Sequence, residues 1–442
     1  MGNTSRTTGA DKSVKTQLMQ ISHLSRQNSK LRFSSLYHYL NEEVLRDCFN
    51  GIRKSRAAGI DEQTKEEYGK NLDTNIQSLV ERLRVGTYRV KAVRRVQIPK
   101  AGNHGHRPLG IPTVEDCIVQ EGLRRILEAI FEPMFLDLSH GFRPRRSCHT
   151  ALKRVSEINR KAGRRVVEVD IQSFFDKVDH KHLLKFVAYR VSDPRVLNLV
   201  QKILRSGYIE SERWHPTTEG LPQGGVASPL LANIYLHFVF DLWFEKRLKQ
   251  LFPKTAAVRY ADDIVIFSEY PSGMDTLLGK LKERMGQFCL SLSQNKTRIT
   301  SFGVTEAWLN GVKGCEAFDF LGFTHFIRKT YTGKHFVCRK TSRKSFTAGL
   351  HSLKQWLREN RSRLPTQDLL ERARQHLAGH FEYFGVTDNG DHLSRYALAV
   401  RYILYHWFNK RSQRRNFTWT DLTRIWDPIA PRWSIKVNLR AG

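Results

Sequence analysis

The chain has 442 residues, 40% of them hydrophobic and 11% aromatic, which excludes an apolar-poor disordered polymer and predicts two or three domains with buried cores. Lys and Arg number 73 against 43 Asp and Glu, and a net charge of +30 points to a polyanionic partner, because neutralising phosphates releases counterions. No stretch reaches the roughly 20 apolar residues of a membrane span and the start, MGNTSRTTGADKS, lacks a hydrophobic signal core, so a soluble cytoplasmic protein is expected.

Residues 1–35, rich in Ser, Thr, Gln, Lys and Arg and without sustained periodicity, are expected to form a flexible basic arm, with order beginning near Leu36. From Leu36 to Leu83, apolar residues such as Leu45, Phe49 and Ile52, then Ile76, Leu79, Val80 and Leu83, recur at helical spacing around the break Ala57-Ala58-Gly59-Ile60-Asp61. Val93 to Pro99 alternates basic and apolar residues, Gly102-Asn103-His104-Gly105 supplies a turn, and Arg107-Pro108-Leu109-Gly110-Ile111-Pro112 completes a basic hairpin. A helix from Glu115 to Phe131 follows, then an irregular stretch around Gly141-Phe142-Arg143-Pro144.

The β-branched run Val166-Val167-Glu168-Val169-Asp170-Ile171 predicts a strand that ends on an acid, and helical spacing resumes at His180. Val258 to Phe267 has the form of a hairpin with Asp262 and Asp263 at its tip, and Phe318 to Phe323 reads as another strand. From Arg339 onward there are 20 Lys and Arg against 8 Asp and Glu, with five of the eight Trp. Apolar residues between Leu350 and Leu377 and between Leu398 and Phe408 recur at helical spacing, so this region is expected to be a cationic helical appendage. Trp356, Tyr402, Tyr405 and Trp407 fit a helical core better, one by one, than base stacking. The six cysteines are scattered with no C-x-x-C pair, which implies neither zinc nor a disulfide framework and predicts buried, reduced thiols.

Two adjacent carboxylates on a hairpin tip repel unless a cation lies between them and a third acid. Two-metal catalysis supplies one: ions about 4 Å apart activate an attacking 3′ hydroxyl and stabilise the departing pyrophosphate. Asp170, at the end of its own apolar strand, is the natural third ligand.

Six motifs in order carry a family resemblance: Arg107 to Pro112, His140-Gly141-Phe142-Arg143-Pro144, Asp170 to Asp176, Gly220 to Pro229, Tyr260-Ala261-Asp262-Asp263, and Leu290 to Thr297, with Phe320-Leu321-Gly322-Phe323 beyond them. The chain resembles reverse transcriptases, with Ala261 as in group II intron enzymes. Tyr383-Phe384-Gly385-Val386-Thr387 is similar to the thumb and maturase region of compact bacterial group II intron proteins.

The resemblance implies an α+β right-hand polymerase, with fingers and palm over residues 36–330 and a helical thumb or maturase domain over 331–442. It implies two Mg²⁺ ions, replaceable by Mn²⁺, held by Asp170 and Asp262 with help from Asp263 and the backbone carbonyl of Ile171. Lys100 and Arg107 would clamp the triphosphate, Phe175 would be the steric gate beneath the sugar, Gln223 and Gly224 would approach nucleotide and template, and Lys296 would protonate pyrophosphate. Asp176 and Asp179 read as structural or solvated. The implied partners are an RNA template, a DNA or RNA primer, dNTPs and structured intron RNA.

No Cys and His pairs of a zinc-bearing endonuclease follow Trp433, and nothing resembles an RNase H domain, so DNA cleavage by this chain is not expected. The leading reading is an RNA-directed DNA polymerase that also assists intron splicing and mobility. Two others stand beside it: a host-recruited, group II intron-like reverse transcriptase in DNA repair or defence, and a non-catalytic RNA-binding splicing cofactor. Ala261 favours the mobile-element reading over the second, and the presence of all three acids disfavours the third.

Overall fold

A computed structural model describes residues 14–99, 105–159, 165–270, 272–302, 316–329, 335–410 and 417–439. In chain order its strands are β1 (Val93–Pro99), β2 (His106–Ile111), β3 (Arg165–Asp170), β4 (Tyr208–Glu210), β5 (Arg213–His215), β6 (Thr255–Tyr260), β7 (Asp263–Ser268), β8 (Arg298–Thr300), β9 (Phe318–Phe320), β10 (Phe323–Lys329) and β11 (His335–Thr341). They form three sheets, ordered β2-β1-β4-β5, β6-β7-β3-β8 and β11-β10-β9. Among these described strands only β1 and β4 pair in parallel. The fold is α+β, as the sequence predicts.

The β6-β7-β3-β8 sheet is buried on both faces, and the period of two along each strand sorts its side chains between two cores. Val167 and Val169 of β3, Ala257 of β6, and Ile264 and Ile266 of β7 join the core built by the helices Glu42–Gly51, Val114–Phe131, His180–Ala188 and Ser228–Leu236. Val166, Val258, Val265 and Phe267 face the other way, into a second core shared with the C-terminal helices. Asp170 is in phase with Val166 and Asp263 with Val265, so both acids belong to the second face.

Two expectations are corrected. The basic arm does not extend to residue 35: Val14–Gln27 is a helix, with Ile21 buried and Ser25 Oγ donating to the Ile130 carbonyl at 2.6 Å. The buried Arg190 ties this segment down, donating to the carbonyls of Leu31 at 2.7 Å and Asn28 at 3.0 Å. The thiols are not uniformly buried either: Cys48, Cys117 and Cys338 are, Cys148 is half-buried, Cys289 is exposed, and Cys315 lies outside the described residues.

The C-terminal region holds the helices Arg343–Asn360, Thr366–Phe384, Gly390–Phe408 and Trp419–Trp426. Their apolar stripes, through Leu353, Leu357, Leu377, Tyr396 and Leu404, meet in the second core. Trp356, Tyr405 and Trp407 pack against it, whereas Tyr402 is exposed. Arg361 lies 4.6 Å from the Trp407 ring centre, so aromatics and cations do interleave on this surface. Among the described residues no helix is long and apolar enough to cross a membrane.

Candidate active site

The hairpin of β6 and β7 turns through Ala261 and Asp262, with Tyr260 paired to Asp263. Ala261 is buried and held at φ +56°, which bends the chain tightly enough to bring both acids to the sheet end. On the neighbouring strand Asp170 lies directly across from Asp263. Like charges directly opposite each other destabilise a strand pair. Asp262 titrates above its ordinary value because burial disfavours its charge, reinforced by Asp170 and opposed by Arg107 and Lys296. Asp263 keeps an exposed face, yet the protein packed behind it desolvates the carboxylate; that effect, then Asp262 and Asp170, raises it to about 6.

Lys296 is brought in by its own turn. The segment after Leu290 pairs with the end of β3: Ser293 donates its N–H to the Asp170 carbonyl, and Gln172 donates to the Ser291 carbonyl, both at 2.9 Å. This bridge, centred on Ile171 and Leu292, uses the peptide groups flanking Ile171 and leaves the Ile171 carbonyl outside that bond pair. Thr297 and Lys296 then fold back on Ser293, and Lys296 Nζ stands 3.2 Å from both Asp170 oxygens.

Beneath the turn lies a buried polar network to which the sequence does not point. Arg259, fully buried, donates from Nε and Nη2 to both oxygens of Asp241, at 2.7 and 2.5 Å. Its Nη1 bonds Asn233 Oδ1 and the Ala261 carbonyl, each at 3.0 Å. Burial alone would push the Asp241 carboxyl up, but Arg259 and His237 hold it below the ordinary range. Asn233 also donates to the Gly141 carbonyl at 2.7 Å. Gly141 abuts the turn: a Cβ there would stand 2.4 Å from the Ala261 nitrogen. One arginine therefore clamps the carbonyl between Tyr260 and Asp262.

The remaining candidates divide. Arg107 acts electrostatically on Asp262. Gln223 donates to Asp176 at 2.8 Å, and Gly224, at φ +101°, approaches the strand so closely that a Cβ would meet the Gly110 carbonyl at 2.3 Å. Phe175 is half-buried, edge-on to the buried Phe174, and its carbonyl accepts from Leu221 at 2.6 Å. Asp176 and Asp179 have structural partners, Gln223 and the N–H of His182 respectively. Lys100 and the turn Gly102 to His104 lie outside the described residues. Lys344, on the first C-terminal helix, also acts on Asp263, a contribution that the sequence did not suggest.

A family model for "Reverse transcriptase (RNA-dependent DNA polymerase)" matches residues 98–325, more than half of the chain and all of the site residues just described except Lys344. The chain belongs to the reverse transcriptase family. Within it, the group II intron-encoded protein LtrA of Lactococcus lactis is 37% identical over 276 residues, covering 61% of this chain and 44% of LtrA. Protein YkfC of Escherichia coli is 35% identical over 54% of this chain and 71% of its own length. The nuclear intron maturase 4 of Arabidopsis thaliana is 29% identical over 195 residues. This reverse transcriptase is thus similar to group II intron proteins and intron maturases, although it spans less than half the length of LtrA.

Proposed function

We propose that the chain is an RNA-directed DNA polymerase of the group II intron type, extending a primer 3′ end on an RNA template with dNTPs. The convergence of Asp170, Asp262 and Asp263 at one sheet end, with Lys296 against Asp170, carries this reading. Three carboxylates, two with raised proton affinity from burial and mutual repulsion, form the hard-oxygen donor set that suits Mg²⁺. Bound there, two divalent ions would polarise the 3′ hydroxyl and offset charge on the transferring phosphate.

The chain's own residues do the rest. Asp170, Asp262 and the Ile171 carbonyl hold the ions and Asp263 supports them. Arg107 and Lys100 neutralise the triphosphate. Gln223 and Gly224 bring backbone and amide close to the nucleotide, Phe175 limits the space beneath the sugar, and Lys296 delivers a proton to pyrophosphate as it leaves. Residues 36–330 would form fingers and palm and 331–442 the thumb, whose cationic helices would grip the duplex and structured intron RNA. Primer extension on an RNA template with Mg²⁺ and dNTPs tests the polymerase. Sequencing RNA that co-purifies with the chain tests the intron role: enrichment of its own flanking transcript supports it, and no such enrichment favours the host-recruited alternative.

A further inference from the structure

Outside the aspartate site, a cluster of ligand-type side chains lies where the helix His180–Ala188 starts and the helix Met274–Gly286 ends. Asp179, His182 and Cys289 each offer one donor atom, all within 4.8 Å of one another. Asp179 caps the first helix by accepting the His182 N–H at 2.7 Å. The His182 ring is braced edge-on by Phe288, at 5.1 Å between centres. Its Nδ1 stands 3.0 Å from Asp179 Oδ1 but out of hydrogen-bond alignment, and although shielded from water it has no hydrogen-bond partner. An imidazole nitrogen and a carboxylate oxygen at that distance, with no hydrogen bond joining them, are placed to share a cation.

Cys289 has its own oddity. It follows the helix end in a left-handed conformation, φ +57°, with its N–H bonded to Gly286 and that of Leu290 bonded to Met285. Glycine is the usual residue there, and a side chain costs about 1 kcal/mol. The cysteine is exposed and free, so its thiol is available at the cluster.

We propose that Asp179, His182 and Cys289 form a binding site for Zn²⁺, with the fourth position open to water. One thiolate, one imidazole and one carboxylate are a borderline-soft donor set that selects zinc over the hard ions suited to the aspartates. Bonds of about 2.0–2.3 Å put tetrahedral donors roughly 3.3–3.8 Å apart, so side chains now within 4.8 Å of one another need to close by no more than about 1.5 Å. The ion ties the helix that follows Phe175 to the turn that leads into Leu292 and Lys296. These two segments flank Asp170, so the site braces the strand end from outside.

The test uses the full chain freed of metal. Titration with Co²⁺ gives a near-ultraviolet thiolate charge-transfer band that Zn²⁺ abolishes by displacement. Cys289→Ser removes the band, His182→Ala weakens binding at least tenfold, and the Asp262→Ala, Asp263→Ala double variant keeps it. Zn²⁺ slows alkylation of Cys289 at least tenfold and leaves the half-buried Cys148 unaffected, each read by mass spectrometry. Absence of the band, its survival in Cys289→Ser, or alkylation of Cys289 indifferent to Zn²⁺ overturns the proposal. The last is the result expected if a proton, shared by His182 and Asp179, takes the place of the ion.

Discussion

Asp263 shows how a single residue records the purpose of the site. Its pKa in the folded chain, about 6, lies above the ordinary 3.8, so the folded state holds this proton more tightly than the unfolded state does. The resulting stabilisation is fully present below the ordinary value and is lost as pH rises through about 6. Metal-free Asp263→Asn should therefore be more stable than the parent at pH 7, by about 1 kcal/mol once solvent screening at the exposed face is allowed for, and equal to it near pH 3. Thermal melts at the two pH values check this; equal melting temperatures at pH 7 would contradict it. Divalent-ion affinity should follow the opposite course and weaken as pH falls below about 6, because protons then compete for the carboxylates. Lys296→Ala should leave stability within about 1 kcal/mol, since its ion pair with Asp170 is largely exposed. Single-turnover incorporation should nevertheless slow about a hundredfold, the usual worth of a positioned proton donor.

Among the elements, the turn between β6 and β7 depends on parts far away in the chain. Asn233→Ala leaves the Arg259 and Asp241 pair intact but removes the bonds to Arg259 and to the Gly141 carbonyl. It should cost about 1–3 kcal/mol in stability and slow incorporation at least tenfold, with primer-template affinity unchanged. A rate that falls only with the folded fraction would show that the clamp does not position the turn. The hairpins themselves were legible in the sequence, because period-two apolar residues beside turn residues mark β1–β2 and β6–β7 directly. The clamp was not. Asp241 ends a π-helical stretch, His237–Asp241, that no sequence period announces, and Arg259 reads as one more basic residue in a cationic chain. The helix Val14–Gln27 is hard to read from the sequence for a related reason: its burial rests on Arg190 and Ile130, distant in sequence, while its own apolar stripe is thin.

Across the whole molecule, two cores meet at one sheet, and the acids emerge on the face that the C-terminal helices share. That arrangement explains how Lys344 reaches Asp263 electrostatically. With a net charge of +30, binding of a primer-template duplex should be dominated by counterion release. Affinity should drop about a thousandfold between roughly 50 and 200 mM salt in anisotropy titrations. A salt-insensitive complex would remove the electrostatic basis of nucleic-acid binding. The direct test of the account is primer extension on an RNA template by the Asp262→Ala, Asp263→Ala double variant, beside the parent chain. In that variant dNTP incorporation should fall at least a thousandfold, with a melting temperature no lower than the parent's and primer-template affinity retained. Incorporation that persists at the parent rate would contradict it.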